Sequence, residues 1–176
     1  VRQTLRWQDV ALYNFSVGLG QDPMDEQQLD FVYEPRLKVM PSMPVVMGAP
    51  GFWSRNPDTG IDWKQILHGE QGLVLHRKLP TEGTIIGRSR ITGLVDRGEG
   101  KGALMYSERN VIDERTGETL ATLTSTSFMR GNGGFGGPAG PVKQPHPEPA
   151  GTPDIVLDLH TRPEQAAVYR LNRDLN

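Results

Sequence analysis

The chain has 176 residues, 36% of them hydrophobic and 23% charged, which suits one full globular domain or one domain and the start of another. A formal net charge of -2 excludes a strongly basic nucleic-acid binder. With no cysteine there are no disulfides, cysteine nucleophiles or thiolate metal sites; no apolar run nears the roughly 18 residues of a membrane span, and no signal-peptide core is seen. The expectation is a soluble protein of the reducing cytoplasm, bound to neither nucleic acid nor membrane.

In chain order, the spacing of Val10, Tyr13 and Val17 predicts a helix over Asp9 to Val17, with Asp9 as N-cap and Gly18 or Gly20 as its end. From Asp22 to Asn56 the chain is irregular and rich in proline and methionine, with one strand-like piece, LDFVYE (29–34). This stretch is either a long loop covering a core or a mobile flap over an apolar ligand. A short helical turn is expected around Asp62 to Leu67.

Four strand candidates follow: GLVLHRKL (72–79), GTIIGRSRITGLVDRG (83–98), GALMYSERNVID (102–113) and ETLATLTSTSFM (118–129). Their β-branched and aromatic content, with PTEG, RGEGKG and ERTG between them, predicts a meander of antiparallel hairpins. One early helix and such a meander give an α+β expectation, a curved sheet wrapped around a helix.

Between Arg130 and Pro153 glycine and proline break all periodicity, as in a linker. The cluster NGGFGG could cradle a phosphate, but it opens no helix and matches neither nucleotide-binding pattern. Beyond it, DIVLDLHT (154–161) reads as a strand, and Thr161 to Glu164 as a capping box for a helix whose stripe is Ala167, Val168, Leu171 and Leu175. Within this sequence that helix is expected to have no sheet to pack on.

The two helices look like copies. Aligning Ala11 with Ala167 also matches Tyr13 with Tyr169 and Leu19 with Leu175; Gly18 and Gly20 then stand where the second copy has Asp174 and Asn176. AAVYRLNRDLN (166–176) resembles the start of the hydratase 2 motif, Y-R-x-S-x-D-x-N-P-x-H, of MaoC-like (R)-specific enoyl-CoA hydratases. ALYNFSVGLG, ILHGEQ (66–71), the strand run and GNGGFGG extend the resemblance to two-domain members over the whole chain. Asn172 and Arg173 depart from the usual serine and glycine of the motif.

The resemblance implies a double hot-dog fold. Residues 1–137 would be a degenerate N-terminal hot-dog domain that accommodates the acyl tail, 138–152 a linker, and 153–176 the start of the catalytic domain. It implies water addition across the double bond of a trans-2-enoyl-CoA, or the reverse dehydration, with the coenzyme A thioester as substrate and no metal or redox cofactor.

That chemistry needs a base for water, an acid for the α-carbon and donors for the enolate-like oxygen. By resemblance Asp174 is the carboxylate of the acid/base pair and Asn176 orients the water or locks the loop. The motif continues with Pro-x-His, so the partner of Asp174 is expected from a following segment or another chain. The bland alternative is an exposed Asp174 in a frayed helix end.

Met43, Met47, Phe52 and Trp53 are candidate acyl-pocket residues, since methionine adapts to irregular apolar shapes; aromatic residues in such a loop also serve as core plugs. His68 is expected to be a buried, hydrogen-bonded structural histidine, and His76, His146 and His160 share no metal-ligand spacing. A homodimer, or association with the following hot-dog segment, is the partner expectation. The alternative to an enzyme is a non-catalytic hot-dog subunit that shapes the acyl pocket of a separate catalytic chain.

Overall fold

A computed structural model describes residues 1–172. The chain forms β1 (Arg2–Leu5), α1 (Trp7–Ser16), α2 (Glu26–Leu29), β2 (Ile66–Leu75), β3 (Gly83–Asp96), β4 (Ala103–Asp113), β5 (Thr119–Met129) and α3 (Gln165–Arg170). Every strand pairing is antiparallel.

The first helix starts two residues before its expected N-cap. Arg6 is the N-cap, and Asp9, the third helical residue, reaches back so that its Oδ2 accepts the Arg6 backbone N–H at 2.9 Å. The helix closes as expected at Gly18, whose φ of +104° only glycine adopts cheaply. There Leu19 N–H donates to Asn14 C=O and Gly18 N–H to Phe15 C=O, both at 3.1 Å, the paired bonds of a Schellman stop.

The sheet order is β1-β3-β4-β5-β2, so the expected meander is corrected at its first link. β2 and β3 do not form a hairpin through PTEG. Instead β2 pairs with β5, Leu73 opposite Leu123, and the chain leaves that edge where His76 and Arg77 N–H donate to Leu120 C=O. It then crosses the sheet to enter β3 beside β1. The other two expected hairpins form, with Ile86 opposite Ile112 and Tyr106 opposite Thr126. Register shifts at His68/Glu70, Ile91/Gly93 and Val111/Ile112 bend the strands.

The core lies between α1 and the sheet. Val10 and Tyr13 of α1 pack with Ile85, Val111, Ala121 and Leu123 of β3, β4 and β5, each large apolar side chain contributing about 1.5–3 kcal/mol by its burial. Met43 and Met47, both buried, close this cluster from the long loop. The loop therefore covers a core.

LDFVYE is not a strand. Asp25 accepts N–H bonds from Gln27 and Gln28 to start α2, and Phe31, Val32 and Tyr33 continue in turns whose N–H groups return to Gln28 and Leu29. A local Asx cap thus outcompetes an isolated strand that would have no neighbour. The turn expected at 62–67 is a shorter 3-10 turn, Trp63–Gln65, capped by Asp62, and β2 begins at Ile66 rather than at Gly72.

Two further expectations fail near the end. DIVLDLHT pairs with no strand among the described residues, and Ile155, Val156, Leu157 and Leu159 are each at least 75% exposed; a strand needs a partner edge, and none lies beside it there. Thr161 is not the N-cap of α3, which is Glu164. The reach-back comes one residue later, from Gln165 Oε1 to the Arg162 N–H at 3.2 Å.

A candidate active site where two helices meet

Although α3 has no sheet of its own among the described residues, it packs on α1. The rings of Tyr13 and Tyr169 meet with centroids 6.2 Å apart. Asn172 Nδ2 donates to Ser16 Oγ at 2.9 Å across a separation of 156 residues, the same offset that aligns the two copies. Each copy also ties its polar side chain to the same backbone position: Ser16 Oγ donates to Tyr13 C=O at 2.7 Å, and Asn172 Nδ2 to Tyr169 C=O at 2.9 Å. Equivalent residues thus face one another, as in an isologous contact.

Beside this contact the end of α1, the approach to α3 and α3 itself border an open cleft of about 670 Å3, lined by Ser16, Val17, Thr161, Arg162, Gln165, Ala166, Tyr169 and Arg170. That volume suits a small ligand. The Arg162 guanidinium lies 4.7 Å above the Phe15 ring and 3.3 Å from the Glu164 carboxylate. Tyr13 is buried and donates to Ser42 Oγ at 3.0 Å; burial raises its phenol above the ordinary value, so it stays protonated. The described lining offers hydroxyl, amide and guanidinium donors and no carboxylate.

The expected catalytic pair, Asp174 and Asn176, lies outside the described residues. The positions aligned with it in the first helix, Gly18 and Gly20, are described. Gly20 has φ +68°, and a Cβ there would stand 2.6 Å from Val32 Cγ2. With Gly18 taken up by the helix stop, both positions have closed against the side chains a catalytic pair would need.

The four acyl-pocket candidates divide. Met43 and Met47 are in the core, whereas Phe52 and Trp53 are 37% and 39% exposed. Phe52 packs edge-on against Trp63 at 5.6 Å, and Arg55 lies 4.4 Å over the Trp63 ring. His68 is exposed on the edge strand β2, which corrects its expected burial: nothing among the described residues covers either face of this strand from Leu67 to Gln71. The glycine cluster is no phosphate cradle either, because Asp96 already fills it. Its carboxylate accepts the N–H groups of Gly98, Gly134 and Gly136 at 2.8 Å each and of Gly137 at 3.3 Å.

Sequence reasoning missed two polar anchors, the buried Asn14 and the half-buried Arg109. Asn14, fully buried, donates to Phe31 C=O at 2.6 Å and Lys38 C=O at 2.7 Å, and its Oδ1 accepts the Met40 N–H at 3.1 Å. Arg109 Nη2 donates to Pro44 C=O at 3.2 Å and Val45 C=O at 2.6 Å, and burial lowers its pKa from the ordinary value. Both fasten the long loop to the core. A polar residue on an otherwise apolar helix face was the available signal for Asn14.

One helix laid on a five-stranded antiparallel sheet, and meeting the helix of a second copy, defines the hot-dog class. The model of the MFE-2 hydratase 2 N-terminal domain matches residues 4–131, and the chain belongs to that family. It is 31% identical over 99% of its length to the peroxisomal enoyl-CoA hydratase 2 of Arabidopsis thaliana, covering 61% of that protein. It is also 31% identical over 97% of its length to the 3-hydroxyacyl-thioester dehydratase Y of Mycobacterium tuberculosis, covering 59%.

Among solved structures, a MaoC-like dehydratase from Phytophthora capsici superposes with a TM-score of 0.79 at 30% identity, over 99% of this chain and 61% of that one. The chain thus spans about three-fifths of the length of these relatives. No helix among the described residues is long and apolar enough to cross a membrane.

Proposed function

We propose that this chain is the acyl-accommodating half, and the opening of the catalytic half, of an (R)-specific 2-enoyl-CoA hydratase. It would add water across a trans-2-enoyl-CoA or remove it from the 3-hydroxyacyl-CoA. The observation that carries the reading is the pairing of Tyr13 with Tyr169 and of Ser16 with Asn172, which sets the helix leading into Asp174 directly against its degenerate copy. The names of the relatives support the reaction class.

In this reading residues 1–137 form the first domain, 138–152 the linker and 153–176 the start of the second. Asp174, with a histidine from a following segment or another chain, activates the water, and Asn176 orients it. The pair then returns a proton to the α-carbon while backbone N–H groups hold the enolate-like oxygen. This proton chemistry calls on no metal or redox cofactor. The acyl tail runs toward Met43 and Met47, whose packing must open to admit it, with Phe52 and Trp53 at the outer end.

The partner in this reading is the following hot-dog segment or a second copy of the chain. Composition suits the cytoplasm, while the Arabidopsis relative is named peroxisomal; cell fractionation decides between the two compartments. The experiment for the reaction uses the intact protein with crotonyl-CoA and follows loss of the enoyl-thioester absorbance. Asp174→Asn should reduce hydration by orders of magnitude while leaving acyl-CoA affinity near that of the unmodified protein. Full activity of that variant removes Asp174 from the mechanism.

A further inference from the structure

Asp96 ends β3 on the side of the sheet where the chain, after β5, turns back as a glycine- and proline-rich strap. Its Oδ1 accepts the N–H groups of Gly98 and Gly134, and its Oδ2 those of Gly136 and Gly137. Its own N–H donates to Pro138 C=O at 2.8 Å. One residue thus ties the strap by side chain and backbone together.

The two loops it joins leave no room for side chains: a Cβ on Gly133 would collide with Gly98 C=O and stand 2.7 Å from the Gly102 oxygen. Farther along, Lys143 N–H donates to Tyr106 Oη at 3.3 Å, with the Lys143 ammonium 4.9 Å over that ring. Strand alternation puts Tyr106 on the face opposite Val111, away from α1, and yet Tyr106 is only 7% exposed. Lys143 of the strap lies against it.

We propose that Asp96 is a clasp. Its carboxylate occupies an anion nest made by the glycine loop and so holds residues 133–143 over the outer face of the sheet, while the sheet and its α1 core stand without it. The physical basis is that successive N–H groups converging on one point form an anion site, and a carboxylate accepting several of them makes strong, charge-assisted bonds. The glycines are required because several nest residues take positive φ, Gly134 at +81° and Gly136 at +77°. This proposal does not depend on the catalytic reading.

The test is hydrogen exchange on the intact protein, comparing peptides from 130–143 with peptides from β4 and β5. In Asp96→Ala the strap amides should exchange at least about tenfold faster while the β4 and β5 amides keep their protection. Sodium formate, whose carboxylate can refill the vacated nest, should restore strap protection where sodium chloride of equal ionic strength does not. Should Asp96→Ala fail to fold, Asp96→Gly, which also vacates the nest, is read in the same way.

An unchanged strap in Asp96→Ala overturns the clasp, as does formate acting no better than chloride. Loss of β4 and β5 protection together with the strap, or failure of both variants to fold, makes Asp96 a residue of the fold itself and overturns it equally.

Discussion

Ser16 and Asn172 hold the same place in two copies of one helix, and they are hydrogen-bonded to each other at 2.9 Å. Tyr13 and Tyr169 repeat the relationship three residues earlier. A duplicated helix that meets its own copy at equivalent positions approximates a two-fold axis, and the side chains on that axis decide how firmly the halves register. In a double-mutant cycle of Ser16→Ala and Asn172→Ala, the coupling energy should be about 1 kcal/mol in the intact protein. Strict additivity of the two changes would mean that the helices are held by other contacts.

Asn14 should matter more to stability than any single polar residue on the surface. Asn14→Ala removes the amide that holds the Phe31 and Lys38 carbonyls and the Met40 N–H in part-buried hydrogen bonds, a loss of roughly 1–3 kcal/mol for such groups. Because those partners all belong to the loop after α1, urea unfolding should be preceded by faster proteolysis of residues 31–40. An Asn14→Ala protein within experimental error of the unmodified stability would show that water replaces the amide at no cost.

Gly87 has a different kind of constraint. A Cβ there would collide with the carbonyl oxygen of Gly48, which itself sits at φ +57° and whose N–H donates to Gln3 Oε1 at 2.7 Å. Gly87→Ala should therefore push the 40s loop off β3 and cost about 1–3 kcal/mol, the usual range for overpacking. Gly117→Ala, at an open turn with φ +72°, carries backbone strain alone and should cost less; chemical denaturation of the two variants side by side checks the order.

How much of this could be read from the sequence depends on where each residue finds its partner. β3, β4 and β5 were legible because their side chains are β-branched or aromatic and their turns lie next to them in the chain. β1 was missed because Arg2, Gln3 and Thr4 are polar, and only Leu5 is buried. The position of β2 beside β5 is a long-range choice that leaves no local mark. The apolar stripe of α3 lies without a sheet among the described residues, Leu171 being 66% exposed and Leu175 outside them, while the contact that Tyr169 and Asn172 make with α1 was not foreseen. The repeat aligned Tyr13 with Tyr169, whose rings the structure brings together, whereas Asp174 lies outside the described residues; the partners of Asn14 and most of those of Asp96 are backbone groups far along the chain, invisible to pattern.

Met47→Ala separates packing from substrate tolerance. Met47 is fully buried in the cluster beneath α1, so truncation should cost about 2–5 kcal/mol and leave a cavity. If the acyl tail runs toward that cluster, the variant should move the chain-length optimum of hydration toward longer or branched thioesters while short-chain turnover changes less. An unaltered ratio across a series of enoyl-CoA lengths would assign Met47 to the core alone and place the acyl tail elsewhere.

Acid should act on the glycine loop through Asp96, and its direction follows from the hydrogen bonds. The N–H groups of Gly134 and Gly98, with smaller help from Gly136 and Gly137, hold the carboxyl below its ordinary range against the opposing effect of burial. A carboxyl with a folded pKa below its unfolded value of about 3.9 adds stability above that unfolded value, and the contribution disappears as pH falls through the folded pKa. Asp96→Asn should therefore be less stable than the unmodified protein by a constant margin from neutral pH down to about pH 5. Below about pH 4 the margin should shrink, because the unfolded state of the unmodified protein then takes up a proton at Asp96 that the folded state does not, until the folded carboxyl also titrates. Asp30 and Glu114, whose carboxyls are also held low by Lys38 and Arg2, lower the stability of both proteins in acid and cancel in the difference. Urea midpoints of the pair across that range give the result directly: a margin that stays constant into strong acid would show that the charge of Asp96 is not what the glycine amides recognise.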